Sequence, residues 1–211
     1  MKFIDVESLK RKDHYNYFKS LDSPHFNICA NVDITNFYNY IKKNNLPFFV
    51  SVLYAATKAA NSIKEFKLRI RGDKLIEHEF VNPSFTVMAK DEIFNFCEVD
   101  FLPEYKSFKS SALTEIEKVK NARTLNKDSN RDDLLYMTSI PWISFTSITH
   151  PISLSPADSI PRIAWGKYFN EGTTIKLPLS VQVHHALVDG VHVGHYFNNI
   201  QQILDNPENE L

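Results

Sequence analysis

The run QVHHALVDGVHVGHY, from Gln182 to Tyr196, holds the residues of this chain best suited to chemistry. His184 and His185 stand side by side, and Asp189-Gly190 follows four residues after the second. An imidazole titrates near pH ~6.5, so it serves as a general base at neutral pH when one nitrogen is unprotonated and aimed at the proton to be taken. Adjacent strand residues point to opposite faces, so the two histidines cannot share one role. One faces the core or an interface, and the other a cleft. Asp189 has two readings: it orients His185 as in a triad, or it pairs with an arginine and holds the turn. Gly190 is expected to permit a sharp backbone path into the next helix. No Gly-x-Ser-x-Gly elbow occurs, which argues against a serine nucleophile of that type. Plainer roles compete, because a lone strand histidine is most often structural. A metal cluster of His184, His185, His192 and His195 would need four ligands converging on one point. Strand alternation splits the first pair and the second pair lies on the final helix, so no metal is expected.

These residues need a strand before them and a helix after them. Thr173–His184 reads as the strand and Val191–Leu204 as the helix, with Val193, Tyr196, Phe197, Ile200 and Leu204 inward. Upstream, Glu7–Lys19 suggests a first helix, and Phe26–Ile34 alternates like a half-buried strand. Thr35 is a fair N-cap for a helix ending near Asn44-Asn45. Pro47 opens another, with Val52, Leu53, Ala56, Ala59, Ala60 and Ile63 at helical spacing. Lys67–Arg71, Lys74–Phe80, Ser84–Ala89 and Ile93–Cys97 read as strands, with Gly72-Asp73 as a hairpin turn. Leu113–Ala122 reads as an amphipathic helix and Lys127–Asp133 as a solvated loop. Tyr136–Ile140 and Trp142–Thr146 read as short strands separated at Pro141, His150–Pro161 as a loop or bulged edge, and Arg162–Phe169 as a strand. This mixture predicts an α/β fold, a single-domain two-layer mixed sheet with helices packed on it, spanning residues 1–211.

The 211 residues suffice for one domain with a full core, and 43% apolar content fits a packed globule. A net charge of −1 supplies no basic field, so neither nucleic acid nor membrane is expected as a partner. The N-terminus lacks the apolar stretch of a signal peptide, and Phe48–Ala56, the most apolar run, is too short to span a bilayer. Cys29 and Cys97 have no metal spacing and read as buried free thiols in a reducing cytoplasm. None of the five glycines forms a phosphate-cradling loop, so a nucleotide-bearing substrate must be held in another way.

The motif resembles the chloramphenicol acetyltransferase signature: Gln, aliphatic, His-His, small, two variable residues, Asp-Gly, aromatic, His. Gln182, Val183, His184, His185, Ala186, Asp189, Gly190 and His192 match it, and Val191 replaces the aromatic. PWISFTS from Pro141, LPLSVQV from Leu177 and KRKDHYNYF around Arg11 are similar to family segments in the same order, so the resemblance covers nearly the whole chain. It implies a coenzyme A-dependent acyltransferase-like fold. The implied activity is acetyl transfer from acetyl-CoA to a hydroxyl of chloramphenicol or a similar small acceptor, through a ternary complex. His185 would be the general base, Asp189 would pair with Arg11, and Thr138 or its neighbour Ser139 would donate to the oxyanion where the family usually has serine. Phe18, Phe101, Tyr136, Ala164 and Trp165 would line the acceptor pocket. Lys167 and Tyr168 would contact coenzyme A, and Pro47, where lysine is common, would reduce its phosphate contacts. The resemblance also implies a homotrimer, with His185 facing a pocket built largely by a neighbouring subunit. Two competing readings are the catalytic domain of a 2-oxo acid dehydrogenase acyltransferase and a binding relative without turnover. The first is disfavoured because no lipoyl domain or Ala/Pro-rich linker is read ahead of the motif.

Overall fold

A computed structural model describes residues 1–89, 92–121 and 131–211. The chain builds its main sheet from β2 (His25–Asp33), β5 (Asn82–Met88), β6 (Phe94–Glu98), β7 (Leu134–Ile140), β8 (Arg162–Gly166) and β10 (Thr174–His184). Their order is β2-β10-β8-β7-β5-β6, with the short β9 (Phe169–Glu171) also paired to β10. The β7 pairings to β5 and β8 are parallel and the others antiparallel, so the sheet is mixed as expected. A second, three-stranded sheet joins β1 (Lys2–Ile4), β4 (Lys74–Glu77) and β3 (Leu68–Arg71). The β3–β4 hairpin turns at Gly72, whose φ of +60° lies in the left-handed region that a Cβ disfavours. The strand at Lys2–Ile4 carries no alternation long enough to reveal it in sequence.

Residue alternation divides the two faces of the main sheet. Leu135, Met137, Ile163, Trp165, Val181 and Val183 join one continuous hydrophobic core. Tyr136, Thr138, Arg162, Ala164, Ser180 and Gln182 fall outside it, at the intervening positions. The core is closed by α2 (Thr35–Lys43), α3 (Phe48–Asn61), α4 (Tyr105–Lys120) and α5 (Gly190–Asp205). Helix α3 is the hub, touching α2, α4, α5 and β5. Its small residues Ala55, Ala56, Ala59 and Ala60 are fully buried and allow close approach. Pro47 caps its start in extended geometry, where a missing N–H costs nothing.

Several boundaries differ from expectation for local reasons. The first helix splits into a 3₁₀ turn at Val6–Ser8 and α1 (Lys12–Lys19). Ile34, not Thr35, is the N-cap of α2, and the Thr35 hydroxyl instead donates to Asp33 at 2.6 Å. Helix α4 begins at Tyr105, eight residues before the expected Leu113, because the Glu104 carboxylate accepts the N–H groups of Lys106 and Ser107. Its expected last residue, Ala122, lies outside the described residues, as does most of the Lys127–Asp133 loop. Trp142–Thr146 is not a strand. After Pro141 the chain crosses close over Gly166, where an added Cβ would lie 2.7 Å from the Ile143 carbonyl oxygen. That carbonyl accepts the Lys167 N–H at 2.8 Å, so the segment docks across the end of β8 and does not extend the sheet. Gly190 needs no special conformation: it is the first residue of α5, its φ is not left-handed, and a Cβ there would meet nothing. Cys97 is buried, with burial pushing its thiol up to about 12, whereas Cys29 is only half-buried; both are free.

Candidate active site

Strands β2 and β10 pair without a break from Lys176↔Asp33 to His184↔His25, and the His185 N–H extends the ladder to the Pro24 carbonyl at 2.8 Å. This delivers the two histidines to different surroundings. His184 is buried, packed edge-on against His25 with ring centroids 5.0 Å apart, and its Nδ1 accepts the Ala186 N–H at 3.2 Å. The His185 side chain remains 31% exposed. Its ring stacks on Phe18 at 3.7 Å and 4° and meets Phe26 at 4.6 Å. The Phe18 contact therefore fixes the plane of the imidazole.

The turn after His185 is held by Arg11. Its Nε donates to Asp189 Oδ2 at 3.0 Å, and Nη2 donates to Asp189 Oδ1. The same guanidinium donates to the carbonyls of Ala186 and His185. One planar fork thus spans both ends of the turn, which a lysine could not match. Asp189 Oδ1 also lies 3.3 Å from His185 Nδ1. That is ion-pair distance, but the direction is poor, and Nδ1 has no hydrogen bond among the described residues. Asp189 is bound to Arg11 and is only a neighbour of the imidazole. His192 is a member of this machinery that alternation did not predict. Its Nδ1 accepts the Asp189 N–H at 2.9 Å, and Asp189 caps α5. The spacing of a cap and its third helical residue was the available signal.

Burial, more than the neighbouring charges, pushes His184 down from its ordinary 6.5 to about 4. A base whose folded pKa is lowered stabilises the fold above its unfolded pKa, and that contribution is lost as pH falls from 6.5 toward 4. His25 and His150 are lowered by burial in the same sense. The melting temperature is therefore expected to drop between pH 7 and ~4.5. His184→Asn, which keeps a hydrogen-bond acceptor, should remove part of that drop. An identical drop in both proteins, followed by circular dichroism, would count against this origin.

Two chambers open beside the main sheet, the larger on the face away from the helices and the other against residues of α3 and α4. The larger, 610 Å³, is lined by β5, β6 and β7 and by the His150–Arg162 segment, and includes Tyr136 and Thr138. The second, 520 Å³, is walled by Phe49, Ile116 and Trp142 and includes both Thr138 and Ser139. Thr86, Phe94 and Thr138 belong to both linings, so the chambers meet at Thr138. His185 lines neither of them.

The other expected site residues separate cleanly. Ala164 is fully buried, paired with Thr138 on one side and Ser180 on the other, and leaves the rung narrow. Trp165 is a core residue, not a pocket wall: alternation turns it to the helix side, where its ring lies 5.6 Å from Phe49. Phe101 is also core, packed with Tyr54 and Phe108 between α3 and α4 after β6 has ended. Lys167 and Tyr168 are exposed beyond β8. The Tyr168 hydroxyl sits 3.3 Å from that of Tyr38, and its ring packs near Phe48. Among the described residues, no group of three or more His, Cys, Asp or Glu converges as a metal site, and no helix is long and apolar enough to cross a membrane.

The family model described as Chloramphenicol acetyltransferase matches residues 1–201. The chain belongs to the chloramphenicol acetyltransferase family. A chloramphenicol acetyltransferase of Clostridium perfringens is 32% identical over 216 residues, covering 100% of this chain and 99% of that relative. A solved chloramphenicol acetyltransferase superposes with a TM-score of 0.87 at 23% identity, covering 96% of this chain and 99% of the other. A dihydrolipoamide acetyltransferase of Azotobacter vinelandii superposes with a TM-score of 0.70 at 17% identity, covering 93% and 87%. At those identities the structural likenesses speak for the fold, which chloramphenicol acetyltransferases share with the 2-oxo acid dehydrogenase acyltransferases. Membership in the family makes this chain an acyltransferase.

Proposed function

We propose that this protein moves an acetyl group from acetyl-CoA to a hydroxyl of chloramphenicol or a similar small acceptor, and so inactivates the antibiotic. The observation that carries this reading is the meeting of two chambers at Thr138. A ternary-complex transfer needs two substrates approaching one point from different sides. The larger chamber suits the acceptor, and the more apolar one suits the acyl end of the donor.

His185 takes the proton of the acceptor hydroxyl on Nε2, since Nδ1 is buried against Asp189. The freed oxygen bonds to the thioester carbonyl carbon, whose oxygen becomes an oxyanion. The Thr138 hydroxyl donates to that oxyanion. Collapse breaks the carbon–sulfur bond, and the proton on His185 passes to the leaving sulfur. Arg11 and Asp189 hold the turn that aims the ring, and Phe18 holds its plane. Lys167 and Tyr168 offer coenzyme A a cation and an aromatic face, suited to a phosphate and a base.

His185 lies outside both chambers of its own chain, which supports a homotrimer in which each base serves a neighbour's chamber. We read residues 1–211 as one such domain, working in the cytoplasm where acetyl-CoA is at hand. The test follows thiol release from acetyl-CoA with and without chloramphenicol. One thiol per acetylated acceptor is expected; thiol release that ignores the acceptor would refute the assignment.

A further inference from the structure

One part of the larger chamber differs from the rest. Phe94 and Phe96 make part of its wall apolar. Where β7 meets β8, the lining turns to Tyr136, Asp158 and Arg162, with His150 beside them. Arg162 is 5% exposed and grips Asp158 through Nη1–Oδ1 at 2.8 Å and Nη2–Oδ2 at 2.7 Å. Its guanidinium lies 5.4 Å from the centre of the Tyr136 ring. The pair is only partly buried, since the Asp158 side chain is 26% exposed, and such a pair is a weak source of stability because desolvation cancels much of its attraction. The Asp158 carboxylate also accepts the Ser153 and Ile160 N–H groups, at 3.3 Å each, and so shapes this stretch of the wall.

His150 supplies a second, independent observation. The signature residue Gln182 clamps its backbone, accepting the His150 N–H at 2.9 Å and donating to its carbonyl at 3.5 Å. The ring is thereby set in the chamber wall with its Nε2 buried and without a hydrogen-bond partner among the described residues. Burial and the Arg162 charge hold this imidazole below its ordinary 6.5, so it is neutral at pH 7, with one donor and one acceptor nitrogen. An unpartnered buried polar atom is costly until something bonds to it.

Register gives the distance. Tyr136 pairs with Arg162 and Thr138 with Ala164, so the polar wall lies two residues from Thr138 along the strands. Two strand residues span ~6.6 Å. We propose that Tyr136, His150, Asp158 and Arg162 form an acceptor subsite selecting hydroxyl compounds that carry a second, uncharged hydrogen-bonding group about 7 Å from the reacting hydroxyl. The proposal rests on acetyl transfer at Thr138. The charges of Arg162 and Asp158 cancel and His150 is neutral, so the wall favours a sulfonyl, amide or hydroxyl over an ion. Glu98, also in the lining, disfavours an anion there. An apolar group would leave the His150 Nε2 without a partner, and sites built to hydrogen-bond reject such analogues strongly.

The experiment compares 4-(methylsulfonyl)benzyl alcohol with 4-(methylthio)benzyl alcohol, which differ little in size but greatly in hydrogen bonding. The sulfonyl compound should have a kcat/KM about tenfold or more above that of the thioether. His150→Leu and Tyr136→Phe should each move the ratio toward one. Among the described residues the His150 side chain holds no other element by a hydrogen bond, and thermal melting checks that both variants fold. Equal kcat/KM values in the parent, or a ratio unmoved by both variants, would overturn the subsite. Calorimetric binding of the same pair without acetyl-CoA separates the two ideas. Tighter binding of the sulfonyl compound with no thiol release keeps the subsite and sinks the transferase reading. Thiol release with equal binding and equal kcat/KM does the reverse.

Discussion

His185→Ala is expected to lower kcat for acetyl transfer by about 10²–10⁴-fold, the usual contribution of a positioned general base. The KM for acetyl-CoA should move little, because the proposed base acts on the acceptor hydroxyl and the ring packs on Phe18 and Phe26. Loss of the stack on Phe18 costs some packing, so the variant's melting temperature is measured alongside its rate. His185→Gln keeps a polar side chain of similar reach without a basic nitrogen and should be as slow. Thiol release by either variant at the parental rate would remove His185 from the mechanism.

Thr138→Ala should cost about 10²-fold or more in kcat, as loss of one oxyanion donor does elsewhere. Thr138→Ser should restore the parental rate or exceed it, because removing the methyl frees the χ1 rotation of the hydroxyl. Ser139→Ala should change kcat far less: Ser139 lines only the second chamber, whereas Thr138 stands where both meet. A large loss at Ser139 with none at Thr138 would reverse the assignment. The same variants test the shared site. His185→Ala and Thr138→Ala are each expected to be slow alone. If each base serves a neighbour, mixing and refolding the two should regenerate about a quarter of the sites by random pairing. No recovery from a reassembled mixture would place base and donor in one subunit.

How much was legible can be followed through particular residues. The β10 strand, the Asp189 turn and helix α5 were readable because period-two and helical patterns meet there within one short run. The role of Asp189 was left open by spacing alone. Geometry decides it: the aspartate uses both oxygens on Arg11, which comes from the far end of the chain. Trp165 is core and not a pocket wall, which spacing cannot tell because an aromatic side chain looks the same in sequence whichever face of the sheet it occupies, and Phe101 is core because it follows β6 and packs on Tyr54 and Phe108. Trp142–Thr146 was misread as a strand because alternation cannot foresee a close crossing over Gly166. His150 and His192 went unassigned for a related reason. One is held by Gln182 across the fold, and the other works through a helix cap.

Local order alone determined the class of chemistry: a histidine pair at the end of an apolar strand, an acid, and a helix that stops the turn. Those features depend on neighbours within a few residues, so spacing carries them. The tertiary structure decided which histidine is free, what Asp189 binds, that two chambers meet at Thr138, and that a partly buried ion pair and an unpartnered imidazole nitrogen share one wall. Each of these joins residues far apart in the chain, and such contacts depend on strand register and on which face a side chain takes. A one-residue shift would reverse every face, and only the packed sheet shows the register that the core has selected.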